Sequence, residues 1–271
     1  MCTTCGCDSG SNSTFHLLDH EHDHGHSHSH AHSHSHAAPL EHAPVKARQK
    51  TIIDVETDIL HQNNLLAERN RGYFEAKNIL ALNLVSSPGS GKTSLLERTL
   101  TDLKGESDFA VIEGDQQTTN DADRIYATGT KVIQINTGKG CHLDSHMILH
   151  SLQELKPKEN SILFIENVGN LVCPAMFDLG EKERVIIISV TEGDDKPLKY
   201  PDMFHSSTLC IVNKTDLLPY VRFDMDKLKS NAKKINPHLE IIEVSCTSGE
   251  GLPLWYSWLN SKIKLTRNEL I

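Results

Sequence analysis

The chain has 271 residues, a formal net charge of −9, 17 histidines and seven cysteines. The acidic balance excludes nucleic acid as the main partner, because neutralising phosphates needs a basic surface. The length suits one α/β domain with a tail, and no apolar run approaches the roughly 18 residues of a membrane span.

Cysteines at irregular spacing, with neither a basic start nor an apolar leader, are read as reduced thiols of a cytoplasmic protein. Cys2, Cys5 and Cys7 open the chain as a compact thiolate group. With the terminal amine they offer four ligands to a soft or borderline ion such as nickel or zinc. A redox Cys-x-x-Cys is the competing reading, but no thioredoxin-like context surrounds it.

From His20 to His36 every second residue is a histidine: His20, His22, His24, His26, His28, His30, His32, His34 and His36. Imidazole is the commonest ligand for nickel, copper and zinc, so this run reads as a reservoir for several ions. Its alternation has no apolar face to bury. Residues 1–50, with few large apolar side chains (Phe15, Leu17, Leu18, Leu40, Val45), are therefore expected to be a tail and linker, disordered without metal. Residues 51–271 are expected to be the folded domain.

Asp54 is the expected cap of a helix over residues 55–76, which carries Ile59, Leu66, Tyr73 and Phe74. Beyond it, apolar strands alternate with helical stretches. Strands are expected at 79–85, 109–113, 131–135, 162–166, 184–190, 209–212 and 240–244. Their continuous apolar character suits burial on both faces, so the fold class is α/β: a mostly parallel sheet flanked by helices, of the P-loop NTPase kind.

The first strand runs into Ser86-Ser87-Pro88-Gly89-Ser90-Gly91-Lys92-Thr93, and a helix follows from Ser94. Strand, glycine-rich loop and helix are the context a phosphate-binding loop requires. Backbone N–H groups around Gly89, Ser90 and Gly91 would wrap the phosphates, Lys92 would meet the β- and γ-phosphates, and Thr93 would ligate Mg2+. The generic pattern has Gly where Ser86 stands. Asp115, ending the next strand, is a candidate switch acid and Mg2+ partner.

Cys141 and His142 follow the third strand, and Cys173 follows the fourth. They form a candidate nickel or zinc site, with room for ligands shared across a dimer axis. His146 and His150 continue from His142 at helical spacing and are expected to be helix-surface residues rather than ligands. Glu166-Asn167-Val168-Gly169 matches a carboxylate-x-x-Gly element: the acid supports Mg2+ and the Gly169 amide senses the γ-phosphate. Cys173 lies seven residues beyond Glu166, so phosphate and metal can be coupled through one loop.

Asn213-Lys214-Thr215-Asp216 ends a later strand. The Asp216 carboxylate can accept from both N1–H and the N2 amine of guanine, a donor pair adenine lacks. Asn213 would contact the guanine edge and the Lys214 stem its face, with Ser245-Cys246-Thr247 as a supporting loop. GTP, rather than ATP, is the expected nucleotide. Cys210 and Cys246 are expected to be buried core thiols.

Together these motifs resemble the HypB family of hydrogenase nickel-incorporation GTPases. The resemblance rests on Met1–Cys7, the His-rich insert, Glu68–Arg71, Leu82–Thr93, Glu113–Gln116, Gly140–Asp144, Glu166–Pro174 and Asn213–Asp216. It implies a SIMIBI-class GTPase that forms a GTP-dependent homodimer. It further implies nickel delivery to [NiFe] hydrogenase large-subunit precursors beside a zinc-containing HypA-like partner. Under it, Cys2, Cys5 and Cys7 correspond to a tight nickel site, and Cys141, His142 and Cys173 to the nickel/zinc site of the G domain. The His run is variable in the family and so accessory. No arginine finger is identifiable, which implies slow intrinsic turnover. Two other readings compete: a urease-type nickel GTPase, and a passive nickel or zinc store in which the tail does the work.

Overall fold

A computed structural model describes residues 14–18, 52–116 and 119–267 of the chain. Cys2, Cys5, Cys7 and the run His20–His36 lie outside these residues.

The core is an eight-stranded sheet in the order β1-β4-β3-β5-β2-β6-β7-β8. Seven strands are parallel: β2 (Leu80–Ser86), β3 (Phe109–Asp115), β4 (Lys131–Asn136), β5 (Ile162–Glu166), β6 (Glu183–Ser189), β7 (Leu209–Asn213) and β8 (Glu240–Glu243). Every residue of β2, β5, β6 and β7 is buried. Burial on both faces explains why these segments read as unbroken apolar runs rather than alternating ones. All seven fall within one or two residues of the sequence expectation.

The eighth strand corrects that expectation. β1 (Thr14–Leu18) pairs antiparallel with β4, with Thr14 opposite Asn136 and Leu18 opposite Val132. Residues 1–50 are thus not wholly outside the ordered fold. A short Thr-Phe-His-Leu-Leu segment has the composition of a strand, and it covers a sheet edge that would otherwise present unpaired backbone groups.

Helices pack on both faces: α1 (Ile52–Ala76), α2 (Lys92–Asp102), α3 (Asn120–Ala127), α4 (Ser145–Leu155), α5 (Lys196–Lys199), α6 (Pro201–Ser206), α7 (Met225–Ile235) and α8 (Leu252–Thr266). Trp255 and Trp258 of α8 pack into a core cluster with Leu82, Leu96 and Phe164 on one side of the sheet. Ile112, Ile133, Ile148 and Leu163 form a cluster on the other.

α1 starts at Ile52, so Asp54 lies within the helix and is not its cap. Its buried stripe is Asn63, Ala67, Asn70 and Phe74, at helical spacing, whereas Ile59 is exposed. The asparagines are buried because each finds backbone partners. Asn63 donates to the Asp178 carbonyl at 2.8 Å and accepts from the Ser145 N–H at 2.9 Å. Asn70 donates to the carbonyls of Ser145 and Leu179. An apolar-periodicity argument misses a face anchored by hydrogen bonds. These bonds fasten α1 to both the start of α4 and the loop before β6, the segments next to the cysteines described below.

Candidate nucleotide and metal sites

The nucleotide elements gather at the carboxyl edge of the parallel strands, where open α/β sheets place their ligands. β2 ends at Ser86, which is buried within the sheet ladder opposite Ile187. The loop then turns through Gly89 (φ 77°) and Gly91 (φ 93°), left-handed conformations that favour glycine. A Cβ on Gly91 would also collide with the Asn213 side-chain amide. Gly91 caps α2, so the helix N-terminus and its unpaired N–H groups face the loop, an arrangement suited to phosphate.

The side chains of this loop converge on Glu166, the last residue of β5. Lys92 Nζ lies 2.7 Å from Glu166 Oε1, and the Thr93 hydroxyl donates to the same oxygen at 2.6 Å. Glu166 is fully buried, and its Oε2 has no hydrogen-bond partner. A buried carboxylate oxygen without a partner, beside a threonine hydroxyl at a helix N-terminus, fits a Mg2+ ion bound directly or through water. Ser94 accepts from Arg124 Nη2 at 3.2 Å. Asp115 ends β3 at the same edge, where its Oδ1 accepts from the Gln116 N–H at 2.7 Å.

Glu113, two residues before Asp115, was not anticipated as part of the site. It is 2 % exposed, and burial pushes its carboxyl up to about 9, with the Glu166 carboxylate adding to the effect. Its Oε2 also lacks a partner.

The guanine motif is knitted onto the phosphate loop. Asn213 donates to the Ser90 carbonyl at 3.0 Å and accepts from the Lys214 N–H at 2.7 Å. Lys214 Nζ donates to the Gly89 carbonyl at 2.7 Å. Asp216 Oδ1 accepts from the Ser245 hydroxyl at 2.6 Å, which fixes the carboxylate that would read guanine. Cys210 is fully buried in β7, as expected, and its thiol is held far above the ordinary range. Cys246 is only half-buried, because it lies in the loop beyond β8.

Sequence reasoning missed Glu192. Its Oε1 accepts from the Ser90 hydroxyl at 2.5 Å and from the Ser189 N–H at 3.0 Å. Lys196 pairs with Glu192 at 3.0 Å and donates to the Ser87 hydroxyl at 3.0 Å. The available signal was position: a charged loop directly after a buried parallel strand lies at the ligand-binding edge.

A second cluster stands beside the first. Cys141, His142 and Cys173 come together with ligand atoms all within 4.8 Å of one another. The two sulfurs are 2.7 Å apart, and Cys141 Sγ lies 3.7 Å from His142 Nδ1. His142 stacks on Phe177 with ring centroids 3.8 Å apart. Burial holds its imidazole below the ordinary range, which favours the neutral, ligating form. Two thiols and one imidazole suit nickel or zinc and leave a coordination position open.

The two clusters share a backbone. Glu166 contacts Lys92 and Thr93. Gly169 lies so close to Pro88 that a Cβ would stand 3.2 Å from the Pro88 Cα. Asn170 donates to the Cys141 carbonyl at 3.3 Å. Cys173 then begins a 3-10 turn and supplies the second sulfur.

The nucleotide-binding domain family described as CobW/HypB/UreG matches residues 80–243. The hydrogenase maturation factor HypB of Escherichia coli K12 is 59% identical over 221 residues, covering 82% of this chain and 76% of that protein. The HypB of Rhizobium leguminosarum is 57% identical over 218 residues, covering 80% of this chain and 73% of that protein.

The chain belongs to the HypB family of hydrogenase maturation factors. Two solved HypB structures share the fold. That from Archaeoglobus fulgidus has a TM-score of 0.71 at 41% identity, covering 75% of this chain and 99% of that one. That from Helicobacter pylori, determined in complex with nickel, has a TM-score of 0.70 at 37% identity, covering 75% and 95%. Among the described residues, this chain has no helix long and apolar enough to cross a membrane.

Proposed function

We propose that this protein is a GTP-hydrolysing nickel metallochaperone that serves [NiFe] hydrogenase precursors in the cytoplasm, working as a nucleotide-dependent homodimer beside a HypA-like partner. One observation carries the reading: residues 166–173 touch the phosphate loop at one end and complete the Cys141–His142–Cys173 cluster at the other. Binding at one end therefore has a short, packed path to the other.

The residues have distinct tasks. Gly89, Ser90, Gly91, Lys92, Thr93 and Ser94 cradle the triphosphate, while Asn213, Lys214, Asp216 and Ser245 select guanine. Bound Mg2+ would neutralise charge on the β- and γ-phosphates, and Thr93, Asp115 and Glu166 are the residues placed to hold it. The Lys92 ammonium pairs with Glu166 in the present geometry. When a γ-phosphate enters, Lys92 turns to it and releases Glu166. The Gly169 amide then follows the phosphate, and Asn170 and Cys173 follow Gly169. Nickel, or zinc competing for the same ligands, is the cargo of Cys141, His142 and Cys173. Cys2, Cys5 and Cys7 form the capture site. His20, His22, His24, His26, His28, His30, His32, His34 and His36 form a reservoir.

The test is nickel affinity at the three-ligand site with no nucleotide, GDP or a non-hydrolysable GTP analogue, in the full chain with Cys2, Cys5 and Cys7 changed to serine. The expected result is at least a fivefold difference between the GDP and GTP-analogue states, the low end of usual allosteric couplings. Equal affinities in all three states would reject the coupling.

A second reading extends the client range. A Helicobacter hepaticus relative, 41% identical over 207 residues, is named as a hydrogenase/urease maturation factor. Deleting the gene and assaying both enzymes separates the two: loss of hydrogenase alone supports the narrower role.

A further inference from the structure

Four buried polar side chains take no direct part in either cluster. Asn83 of β2 and Asn167, directly after β5, are at most 1 % exposed, and Glu181 and Arg184 are 8 % exposed. They form one hydrogen-bonded chain. Asn167 donates to Asn83 Oδ1 at 3.3 Å, and Asn83 donates to Glu181 Oε1 at 3.0 Å. The same Glu181 oxygen accepts from Arg184 Nε at 2.9 Å and from Nη2 at 2.7 Å.

The ends of this chain lie on the two halves of the metal cluster. At one end, Asn167 Oδ1 accepts from the Leu143 N–H at 3.1 Å, one residue past His142. At the other, Arg184 Nη1 donates to the Ala175 carbonyl at 3.2 Å, inside the turn that Cys173 opens. Arg184 Nη2 donates to the carbonyl of Phe177 at 2.9 Å, the residue on which His142 stacks. The Ser206 hydroxyl accepts a further Nη1 bond at 3.0 Å, so all five guanidinium N–H donors are used. Glu181 Oε2 accepts from the Leu179 N–H at 2.8 Å. None of the four residues leaves a buried polar atom without a partner. A fully satisfied buried network holds one arrangement, because any other would strand a polar group.

We propose that Asn83, Asn167, Glu181 and Arg184 are positioning residues for the metal site. They hold the Cys141–His142 loop and the Cys173 turn at a fixed separation before the ion arrives, and this raises affinity for nickel more than affinity for zinc. The inference rests on the reading of Cys141, His142 and Cys173 as a nickel or zinc site. Zinc has no geometric preference from its d electrons and accepts the arrangement its ligands take. Selection among the other divalent ions depends on ligand geometry, so a rigid frame matters more to nickel.

The experiment uses the full chain with Cys2, Cys5 and Cys7 changed to serine. Nickel chloride is followed by the thiolate-to-nickel charge-transfer absorption, which the histidines of the tail do not give, and zinc chloride by its displacement of that band. Arg184→Lys keeps a cation beside Glu181 but loses the planar fork that reaches the carbonyls of Ala175 and Phe177. Asn167→Ala frees the Leu143 N–H. In each variant nickel affinity should fall about tenfold or more, the usual effect of removing a support behind a ligand, and zinc affinity by at most about threefold. In the parent chain the amides of Leu143 and Leu179 should already resist hydrogen exchange without metal. The proposal is overturned if both variants, folded by circular dichroism, bind nickel as the parent does, if nickel and zinc weaken equally, or if the two amides become protected only once metal is bound. Should both variants fail to fold, the exchange result decides. A parent chain with no charge-transfer band would sink the metal-site reading and this inference together; a band that the variants leave unchanged sinks this inference alone.

Discussion

Lys92 and Glu113 show how this edge of the sheet is charged before nucleotide arrives. Lys92 is held at 2.7 Å on a buried carboxylate, already in place for a phosphate. Replacing it with Ala leaves Glu166 buried without its cation and removes the group aimed at the β- and γ-phosphates. GTP turnover should fall by about a hundredfold or more, in line with losing one preorganised electrostatic group, while circular dichroism retains the folded signal. Turnover within threefold of wild type would reject the phosphate-loop assignment. Glu113 gives the opposite kind of prediction. Its carboxyl titrates at 4.5 when unperturbed and at about 9 in the fold. Between those values the folded chain keeps a proton that the unfolded chain has released, so this residue makes stability fall as pH rises. Glu113→Gln should remove that fall. In the nucleotide-free protein at pH 8 the gain should be several kcal/mol, roughly 10 °C or more in Tm, and it should vanish near pH 4.5. A thermal melt series over pH reads it directly; a gain that does not change with pH would mean that Glu113 titrates normally.

At the scale of elements, the segment from Glu166 to Cys173 joins the Lys92–Thr93 loop to the Cys141–His142–Cys173 cluster, and on the proposed function it is the junction between nucleotide and metal. Asn170 is its hinge pin, because its side chain reaches across to the Cys141 carbonyl and its Oδ1 accepts from the Val172 N–H at 2.9 Å. Asn170→Ala should leave GTP turnover within about twofold and should shrink the nucleotide-dependent change in nickel affinity. One side-chain hydrogen bond contributes about 1 kcal/mol, a factor of roughly five. An unchanged nucleotide effect would place the coupling elsewhere. The same segment shows what a sequence can reveal. Glu166, Gly169 and Cys173 were legible because carboxylate, glycine and thiol each have a chemistry tied to identity and spacing. Asn170 and Glu192 were not: their roles depend on which loop comes to lie beside them, and one chain position carries no record of that. The seven parallel strands were legible for the converse reason, since burial on both faces leaves an unbroken apolar run. The buried face of α1 was not, because Asn63 and Asn70 make it by hydrogen bonds to Ser145, Asp178 and Leu179 rather than by apolar area.

For the whole molecule, the question is how the histidine-rich segment relates to the working domain. The nucleotide and thiolate clusters are built from residues between Ser86 and Ser245, and among the described residues the sheet also includes β1, Thr14–Leu18, which precedes that segment in the sequence. The nine alternating histidines from His20 to His36 carry no large apolar side chain between them. On the proposed function their chemistry would be mass action: they would raise the amount of nickel held near the domain without changing the affinity of Cys141, His142 and Cys173. Deleting residues 20–36 while keeping Thr14–Leu18 should therefore leave GTP turnover and nickel affinity at the three-ligand site within about twofold. Hydrogenase activity in cells should be normal with ample nickel and should fall only when nickel is scarce. A strain carrying the deletion, grown across a nickel series, decides between this and a passive store. If hydrogenase activity is lost even at high nickel, the histidines take part in transfer itself and the domain is the accessory. If it is lost only at low nickel, the domain does the delivery and the histidines set the supply.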